Sequence, residues 1–435
     1  MHTSVSAGQR QARCPRCGAA LPVDPGWPTW CEHCDWNVVP SAPPLSTRSL
    51  RKRTGDEARA IALCDQVSGD PPGGVRRGGV ARRLMAAVYA MLAGVPAAAL
   101  VAAAVADAIL DSGPARVIIP IACLGIAAAV RPRGGAVGSD AITVTRASAP
   151  HLFEMISRVA AEVGVSPPAL VVLDDSFHAD YGVIGAGRQR VLCLGVPLWT
   201  ALDDAERVAL LAHQIAHDAD GDPLRPLAAG DAVATVNTRD DAPPVDLDAA
   251  PPGLLELPDA RTRHSLDRYA QREATFRAFQ GTSTALARAI RTAKTRVLYP
   301  ANRRNEYVAD DIAIRTASSA AVRSYLEKTL LQDYVNYGLR LAVRNDDEDL
   351  FAASRRAIAG VPHRELERVR RAAALRGDRV DATHPPTALR LRFVDSRPAA
   401  EARVTALPGQ LQAIDEELQA AFAQIAMAML DRLTS

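Results

Sequence analysis

The sequence lacks an excess of charge of either sign, because 51 Lys and Arg residues accompany 49 Asp and Glu residues and the formal net charge is +2. It also has few aromatic residues, which make up only 4% of the chain. Chains that bind nucleic acid usually show a basic patch, often with aromatic side chains among the basic ones. Neither feature is present, so we expect no nucleic-acid partner.

Two further absences concern the compartment. The first residues, Met1 to Ser4, lack the apolar stretch of a secretory signal, so no cleaved signal peptide is expected. Cysteine is sparse outside two C-x-x-C pairs, which account for four of the seven cysteines. This usage suits a reducing compartment and a metal site better than a framework of disulfide bonds.

The two pairs are separated by the spacing C-x2-C-x13-C-x2-C and consist of Cys14, Cys17, Cys31 and Cys34. Four thiolates at such a spacing form a closed tetrahedral zinc site. We therefore predict a zinc ribbon over residues 1–40 that holds one structural Zn²⁺. A redox pair or a chance pair of C-x-x-C units is the alternative. The tryptophans expected to cover the site are Trp27, Trp30 and Trp36.

Long apolar runs follow a segment rich in helix breakers. Residues 41–80 contain Pro-Pro and Gly-Gly pairs and are predicted to be a flexible linker. Residues 84–106 are 23 residues without charge, which is long enough to cross a bilayer. Residues 117–130 form a second, shorter run that could by length be a buried or re-entrant segment. The short turn between the runs favours two transmembrane helices over residues 81–133.

Arginine is distributed unevenly around this pair of predicted transmembrane helices, which forms a helical hairpin. The positive-inside rule uses such asymmetry to assign the orientation of a hairpin in the membrane. The arginines outside the two runs are Arg76, Arg77, Arg82, Arg83, Arg131 and Arg133. The connecting turn carries Asp107, Asp111 and a single arginine, Arg116. We therefore expect a multi-pass protein of the cell membrane, with the lipid bilayer as a partner and with the ribbon and the C-terminal domain in the cytoplasm.

Beyond residue 140 the pattern predicts an α+β domain over residues 140–435 that is mainly helical with a small sheet. Two strands are predicted around a turn-rich segment at residues 182–187, and they cover residues 169–173 and 190–194. The predicted helices cover residues 151–163, 203–217, 269–297, 306–318 and 410–433, with further helix across 320–375.

Two histidines in the helix over residues 203–217 carry the first chemical signal. His213 and His217 are four residues apart, so a helix places them on one face, where two imidazoles can hold one Zn²⁺. This is the ligand spacing of H-E-x-x-H metallopeptidases, in which the Glu is the general base. Gln214 stands at the position of that Glu. Nine histidines can also produce such a pair by chance.

A second helix carries Glu306 and Asp310, which are again four residues apart. Glu306 is a candidate third ligand, and Asp310 is a candidate to orient a ligand histidine through a hydrogen bond. A solvated helix face is the alternative explanation for this pair. The two helices together make a zinc site more credible than either helix alone.

The chain resembles HtpX-like and CAAX-prenyl-protease zinc metallopeptidases, which are metallopeptidase family 48. The resemblance is carried by the two helices with His213 and Glu306, by the run from Thr383 to Thr387, and by Arg390. The resemblance extends over residues 145–395 and implies a zincin-like (gluzincin) domain. It also implies that a second Zn²⁺ is bound by His213, His217 and Glu306, with Asp310 orienting a ligand. His384 and Arg390 would be groups near the reaction centre.

The chain departs from the family pattern at Gln214, because an amide cannot accept a proton at neutral pH. It also lacks apolar runs between residues 218 and 305, where many relatives carry membrane spans. We therefore expect a membrane-anchored, catalytically impaired homologue that binds polypeptide as a scaffold, adaptor or chaperone. The alternative is a working zinc endopeptidase of membrane-protein quality control whose base is another group, such as Asp218, Asp220 or His384.

Overall fold

The structure of the protein is a computed structural model that describes residues 11–74, 141–219 and 303–434, together with isolated positions between 101 and 137. The gaps inside the three ranges are 25, 40–46, 185–188, 346–348 and 377–384. The described chain is mostly helical with two small sheets. The helix predicted over residues 269–297 lies outside the described residues.

Six strands form the two sheets. They are β1 (Gln11–Arg13), β2 (Ala20–Pro22), β3 (Ile142–Val144), β4 (Leu170–Asp174), β5 (Ala179–Ile184) and β6 (Gln189–Gly195). The main helices up to the site helix are α1 (Thr47–Ser68), α2 (Pro150–Val163), α3 (Val196–Ala201) and α4 (Asp204–Ala219). The later ones are α5 (303–317), α6 (Ser319–Thr329), α7 (Gln332–Arg344), α8 (Leu350–Ala359), α9 (His363–Arg376), α10 (Thr387–Asp395) and α11 (Gln410–Thr434).

The larger sheet has the strand order β3–β4–β6–β5. Strands β4 and β6, which the sequence predicted, are parallel, whereas the pairs β3–β4 and β5–β6 are antiparallel. Strand β5 lies partly in the segment that the sequence indicated to be a turn. Since β5 is last in the strand order, it forms one edge of the sheet, and this edge packs against α4.

Helix α4 lies at the centre of the domain. Every residue from Glu206 to His217 is buried, because α4 packs against α2, α6 and β5. Its start is fixed by two reciprocal hydrogen bonds: the Asp203 N–H donates to Glu206 Oε2 (2.8 Å) and the Glu206 N–H donates to Asp203 Oδ1 (3.0 Å). This arrangement is a capping box and sets the register of the helix that carries the histidines.

The segment predicted to be a flexible linker contains helix α1. Its side chains Ala60, Cys64 and Val67 are buried, and they recur at helical spacing on one face. The Cys64 thiol donates to the carbonyl of Leu389 in α10 at 3.4 Å. Arg397 donates to the carbonyl of Val67 at 3.0 Å. The first part of the chain is therefore attached to the C-terminal domain.

Among the described residues, no helix combines the length and the apolar character needed to cross a bilayer. This finding contradicts the transmembrane hairpin predicted over residues 81–133, and with it the multi-pass membrane location and the bilayer as partner. Most of the runs at 84–106 and 117–130 lies outside the described residues. The prediction was based on the absence of charged residues. A membrane span requires this absence, but the absence alone does not produce a continuous apolar helix.

Candidate metal centres

The two histidines of α4 point into one buried site. Their ring centroids are 4.9 Å apart and the ring planes are nearly perpendicular. His213 is 1% exposed and His217 is 7% exposed. Because the helix has 3.6 residues per turn, the four-residue spacing places both rings on the same side.

Helix α5 places Glu306 against both rings. The distance from His213 Nε2 to Glu306 Oε2 is 3.3 Å, and the distance from His217 Nε2 to Glu306 Oε1 is 3.4 Å. One ligand atom from each of the three residues lies within 4.8 Å of the others. The structure therefore brings together the three side chains that the two helical pairs singled out.

Asp310 lies on the far side of the His213 ring. Its Oδ1 is 2.9 Å from His213 Nδ1, so Nδ1 can donate a hydrogen bond while Nε2 faces Glu306. A ligand histidine in a metal site is commonly oriented in this way by a carboxylate on its other nitrogen. Asp310 is fully buried and comes from the same helix as Glu306.

Arg390 of α10 neutralises this buried carboxylate. Its Nε is 2.9 Å from Asp310 Oδ2 and its Nη2 is 2.7 Å from Asp310 Oδ1. Burial alone would raise the pKa of Asp310, but the charge and hydrogen bonds of Arg390 outweigh burial and hold that pKa below its usual value. The Arg390 guanidinium is also 4.0 Å from Glu306 Oε2 and 3.2 Å from His213 Nδ1.

This set of donors fits a divalent metal ion. Two imidazole nitrogens and one carboxylate are the protein ligands of many catalytic zinc sites, which keep a fourth position open. Such sites also need a partner that orients a ligand ring, and Asp310 is that partner for His213. The structure thus shows a geometry compatible with a bound metal ion.

The Gln214 side chain contacts the sheet. Its Nε2 donates to the carbonyl oxygen of Ala179 at the start of β5, at 2.8 Å. The side chain is 5% exposed. The residue at the general-base position of the motif therefore makes a hydrogen bond that connects the site helix to the edge strand.

The other residues named from the sequence are placed differently. Asp218, a possible replacement base, has its carboxylate 2.8 Å from Arg190 Nε. Asp220 and His384 lie outside the described residues.

Sequence reasoning missed Tyr325 of α6, whose ring centroid is 6.4 Å from that of His213. Burial raises the pKa of Tyr325 to about 12. No local pattern marks this tyrosine, since only the packing of α6 on α4 brings it close.

The ribbon brings its four cysteine sulfurs together. The Cys14 and Cys34 sulfurs are 3.6 Å apart, those of Cys17 and Cys31 are 3.5 Å apart, and one sulfur from each residue lies within 4.8 Å of the others. Gly18 has φ +74°, a left-handed conformation that permits the tight turn after the first pair. The cluster therefore has the donor set of a closed tetrahedral metal site.

The backbone around Cys14 favours its thiolate, whereas burial raises the pKa of Cys34 to about 12. Burial raises the pKa of Cys14, but hydrogen bonds from the backbone N–H groups of Cys17 and Arg16 outweigh it, and the pKa lies at about 7. The Arg16 N–H is 3.4 Å from the Cys14 sulfur. Metal binding requires deprotonated cysteine, so this environment suits a metal ligand.

Only one of the three tryptophans expected to cover the ribbon site packs against the cysteines. Trp36 joins the cysteine cluster, whereas Trp30 packs with Val38 against Ala372 of α9. Trp27 stacks on Tyr334 of α7 with ring centroids 6.0 Å apart. The ribbon is therefore docked on the C-terminal domain through Trp27 and Trp30.

Arginines of α9 complete this contact. Arg364 and Arg371 lie against the Trp30 ring, with guanidinium carbons 4.9 and 5.2 Å from its centroid. Arg368 donates to the carbonyl of Val38 at 2.6 Å and forms a buried ion pair with Glu365. This interface was not anticipated from the sequence, since α9 by itself resembles a solvated charged helix.

Comparisons of the chain with protein-family models, curated proteins and solved structures give no match. The family resemblance therefore rests on the motifs alone.

Proposed function

We propose that this protein is a zinc-binding homologue of the HtpX-like and CAAX-prenyl-protease metallopeptidases that binds polypeptides and hydrolyses them slowly or not at all. The observation that carries the proposal is the convergence of His213, His217 and Glu306 in a buried site whose adjacent position holds Gln214. The ligand set of a zinc peptidase is present, and the carboxylate that would act as its base is not.

The residues of the chain have distinct roles in this proposal. A zinc ion bound by the two histidines and Glu306 would supply a Lewis acid for a peptide carbonyl. Asp310 orients the His213 ring, and Arg390 keeps Asp310 ionised. Gln214 can donate and accept hydrogen bonds but cannot take up a proton at neutral pH. General-base help is worth about 10²- to 10⁴-fold, so we expect turnover close to background.

The working-endopeptidase alternative requires another proton acceptor beside the ligands. Among the described residues, Asp218 is paired with Arg190, and Tyr325 is a phenol that is protonated at neutral pH, with burial raising its pKa further, to about 12. Neither side chain therefore supports this alternative. Polypeptide is the favoured client because two helical histidines and a carboxylate are the ligand set of zinc peptidases.

The test uses purified full-length protein, its Gln214→Glu variant, and the Gln214→Glu, His217→Ala double variant. We expect the natural protein to bind a fluorescein-labelled unfolded polypeptide in anisotropy measurements while cleaving it at background rates. Gln214→Glu introduces a carboxylate of nearly the same shape at the general-base position of the motif. The single variant should gain cleavage that a chelator abolishes, and the double variant should not.

Two results would overturn the proposal. One is strong chelator-sensitive cleavage by the natural protein that Gln214→Glu leaves unchanged or lowers, which would indicate an unrecognised base. The other is the absence of polypeptide binding by zinc-loaded natural protein, which would remove the proposed client.

A further inference from the structure

The hydrogen bond between Gln214 and Ala179 has a specific place in the sheet. The Gly195 N–H donates to the carbonyl of His178 at 2.8 Å, so these two residues form a hydrogen-bonded pair of the antiparallel ladder. In such a ladder the next residue along the strand directs its N–H and C=O away from the partner strand. The carbonyl of Ala179 therefore points away from β6, towards α4.

This carbonyl needs a donor. Ala179 is 8% exposed, and a buried carbonyl without a hydrogen bond destabilises the fold. Gln214 supplies the donor from a helix that is itself buried. The contact therefore satisfies a strand carbonyl that β6 does not reach.

Only an amide meets this requirement among side chains of the same length. Methionine has a similar reach but no donor, and an ionised glutamate would place a second acceptor against the carbonyl. Asparagine has the donor but is one methylene shorter. The glutamine that departs from the peptidase motif is thus the residue that the strand needs.

The contact also adjoins a ligand. Gln214 follows His213 directly in the chain, so the hydrogen bond fixes the helix position next to the first histidine against the sheet. We propose that Gln214 is a positioning residue, which holds β5 against α4 and thereby fixes the orientation of His213. The second part of this proposal rests on the proposed metal site, whereas the first part does not.

Hydrogen exchange tests the first part in metal-free, full-length protein. We compare residues 177–184 in the natural protein, Gln214→Met and Gln214→Glu. We expect about tenfold faster exchange in Gln214→Met, because one buried hydrogen bond is lost, and still faster exchange in Gln214→Glu, where two acceptors face each other. The control is Gln412→Met, which changes an exposed glutamine on α11 and should leave β5 unaffected. Protection in Gln214→Met equal to the natural level would overturn the role.

Cobalt spectra test the second part. The difference spectrum between each Co²⁺-loaded protein and its His217→Ala derivative isolates the histidine centre from the cysteine centre. We expect the visible bands of this difference spectrum to shift in Gln214→Met and to stay in place in Gln412→Met. Unshifted bands in Gln214→Met would refute the positioning of His213. If the natural protein binds no cobalt at this centre, the proposed function fails. The hydrogen-exchange rates of residues 177–184 then decide alone whether Gln214 holds β5.

Discussion

Arg390 binds Asp310 through both carboxylate oxygens, at 2.9 and 2.7 Å, in the interior of the domain. The pair joins α10 to α5 beside the His213 ring, where Arg390 Nη2 is 3.2 and 3.3 Å from the two ring nitrogens, and neither side chain is more than 8% exposed. A buried ion pair of this kind does not add much stability over an apolar pair, but removing one partner leaves an uncompensated charge.

The first prediction concerns this pair. Arg390→Met leaves Asp310 buried without its counter-charge, so we expect the free energy of unfolding to fall by about 3–5 kcal/mol. Urea denaturation of the metal-free protein measures the loss. The matched control on the same helix is Arg392→Met, which removes a surface pair with Asp65 and should change stability by less than about 1 kcal/mol. Similar losses in both variants would contradict the role assigned to the buried pair.

The second prediction concerns the number of metal ions. The full chain should bind two zinc ions per molecule, one in each of the centres that the geometry indicates. His217→Ala and Cys31→Ser should each lower the zinc content by one ion, and the double variant should bind none. Elemental analysis after gel filtration provides the measurement. His151→Ala, a partly exposed histidine bound to Glu417, serves as the control and should retain two ions.

The third prediction concerns removal of the ribbon metal. The knuckle that contains Cys31 and Cys34 also carries the Glu32 carbonyl, which accepts a hydrogen bond from Arg371. Loss of the metal should release this backbone, so Cys31→Ser should accelerate hydrogen exchange in α9. His217→Ala empties the other centre and should leave α9 unchanged. Equal exchange of α9 in Cys31→Ser and in the natural protein would show that docking does not need the ribbon metal.

The fourth prediction compares two tryptophans of the ribbon. Trp30 is 1% exposed and lies between two arginines of α9, whereas Trp27 is only partly buried. Trp30→Ala should lower the free energy of unfolding by about 3–5 kcal/mol, as expected for a fully buried aromatic residue. Trp27→Ala should have a clearly smaller effect. Urea denaturation of both variants decides the order, and a reversed order would contradict the docking geometry.

Local periodicity accounts for the parts of the site that could be predicted. A helix fixes which face a residue occupies, so the spacing of His213 and His217, and of Glu306 and Asp310, was enough to indicate ligand faces. Tertiary packing determines the contact between these faces. It also determines the pairing of Arg390 with Asp310, which are 80 positions apart in the chain. No pattern within one helix contains that information.

The remaining differences also have physical causes. Strand β5 contains Gly182 and overlaps the segment that the sequence indicated to be a turn, so β-propensity gave only a weak signal there. Helix α1 is bounded by breakers, which hid the helical spacing of Cys64 and Val67 on its buried face. The orientation of Gln214 could not be predicted, because it depends on the carbonyl that β5 presents.

The arginines of α9 reach the ribbon through its main chain. Arg364, Arg368 and Arg371 donate to the carbonyl oxygens of Trp30, Val38 and Glu32, respectively. Every residue has such a carbonyl, so these bonds depend on the path of the ribbon backbone and only weakly on its side-chain identities. Apart from Glu32 and Asp35, whose carboxylates pair with Arg364 and Arg371, the surface residues of the ribbon can therefore change during evolution or engineering without loss of attachment, as long as the cysteine spacing preserves the path. A ribbon with the same knuckle geometry, with the Trp30 ring retained and with a different outer surface, could be transplanted onto this domain.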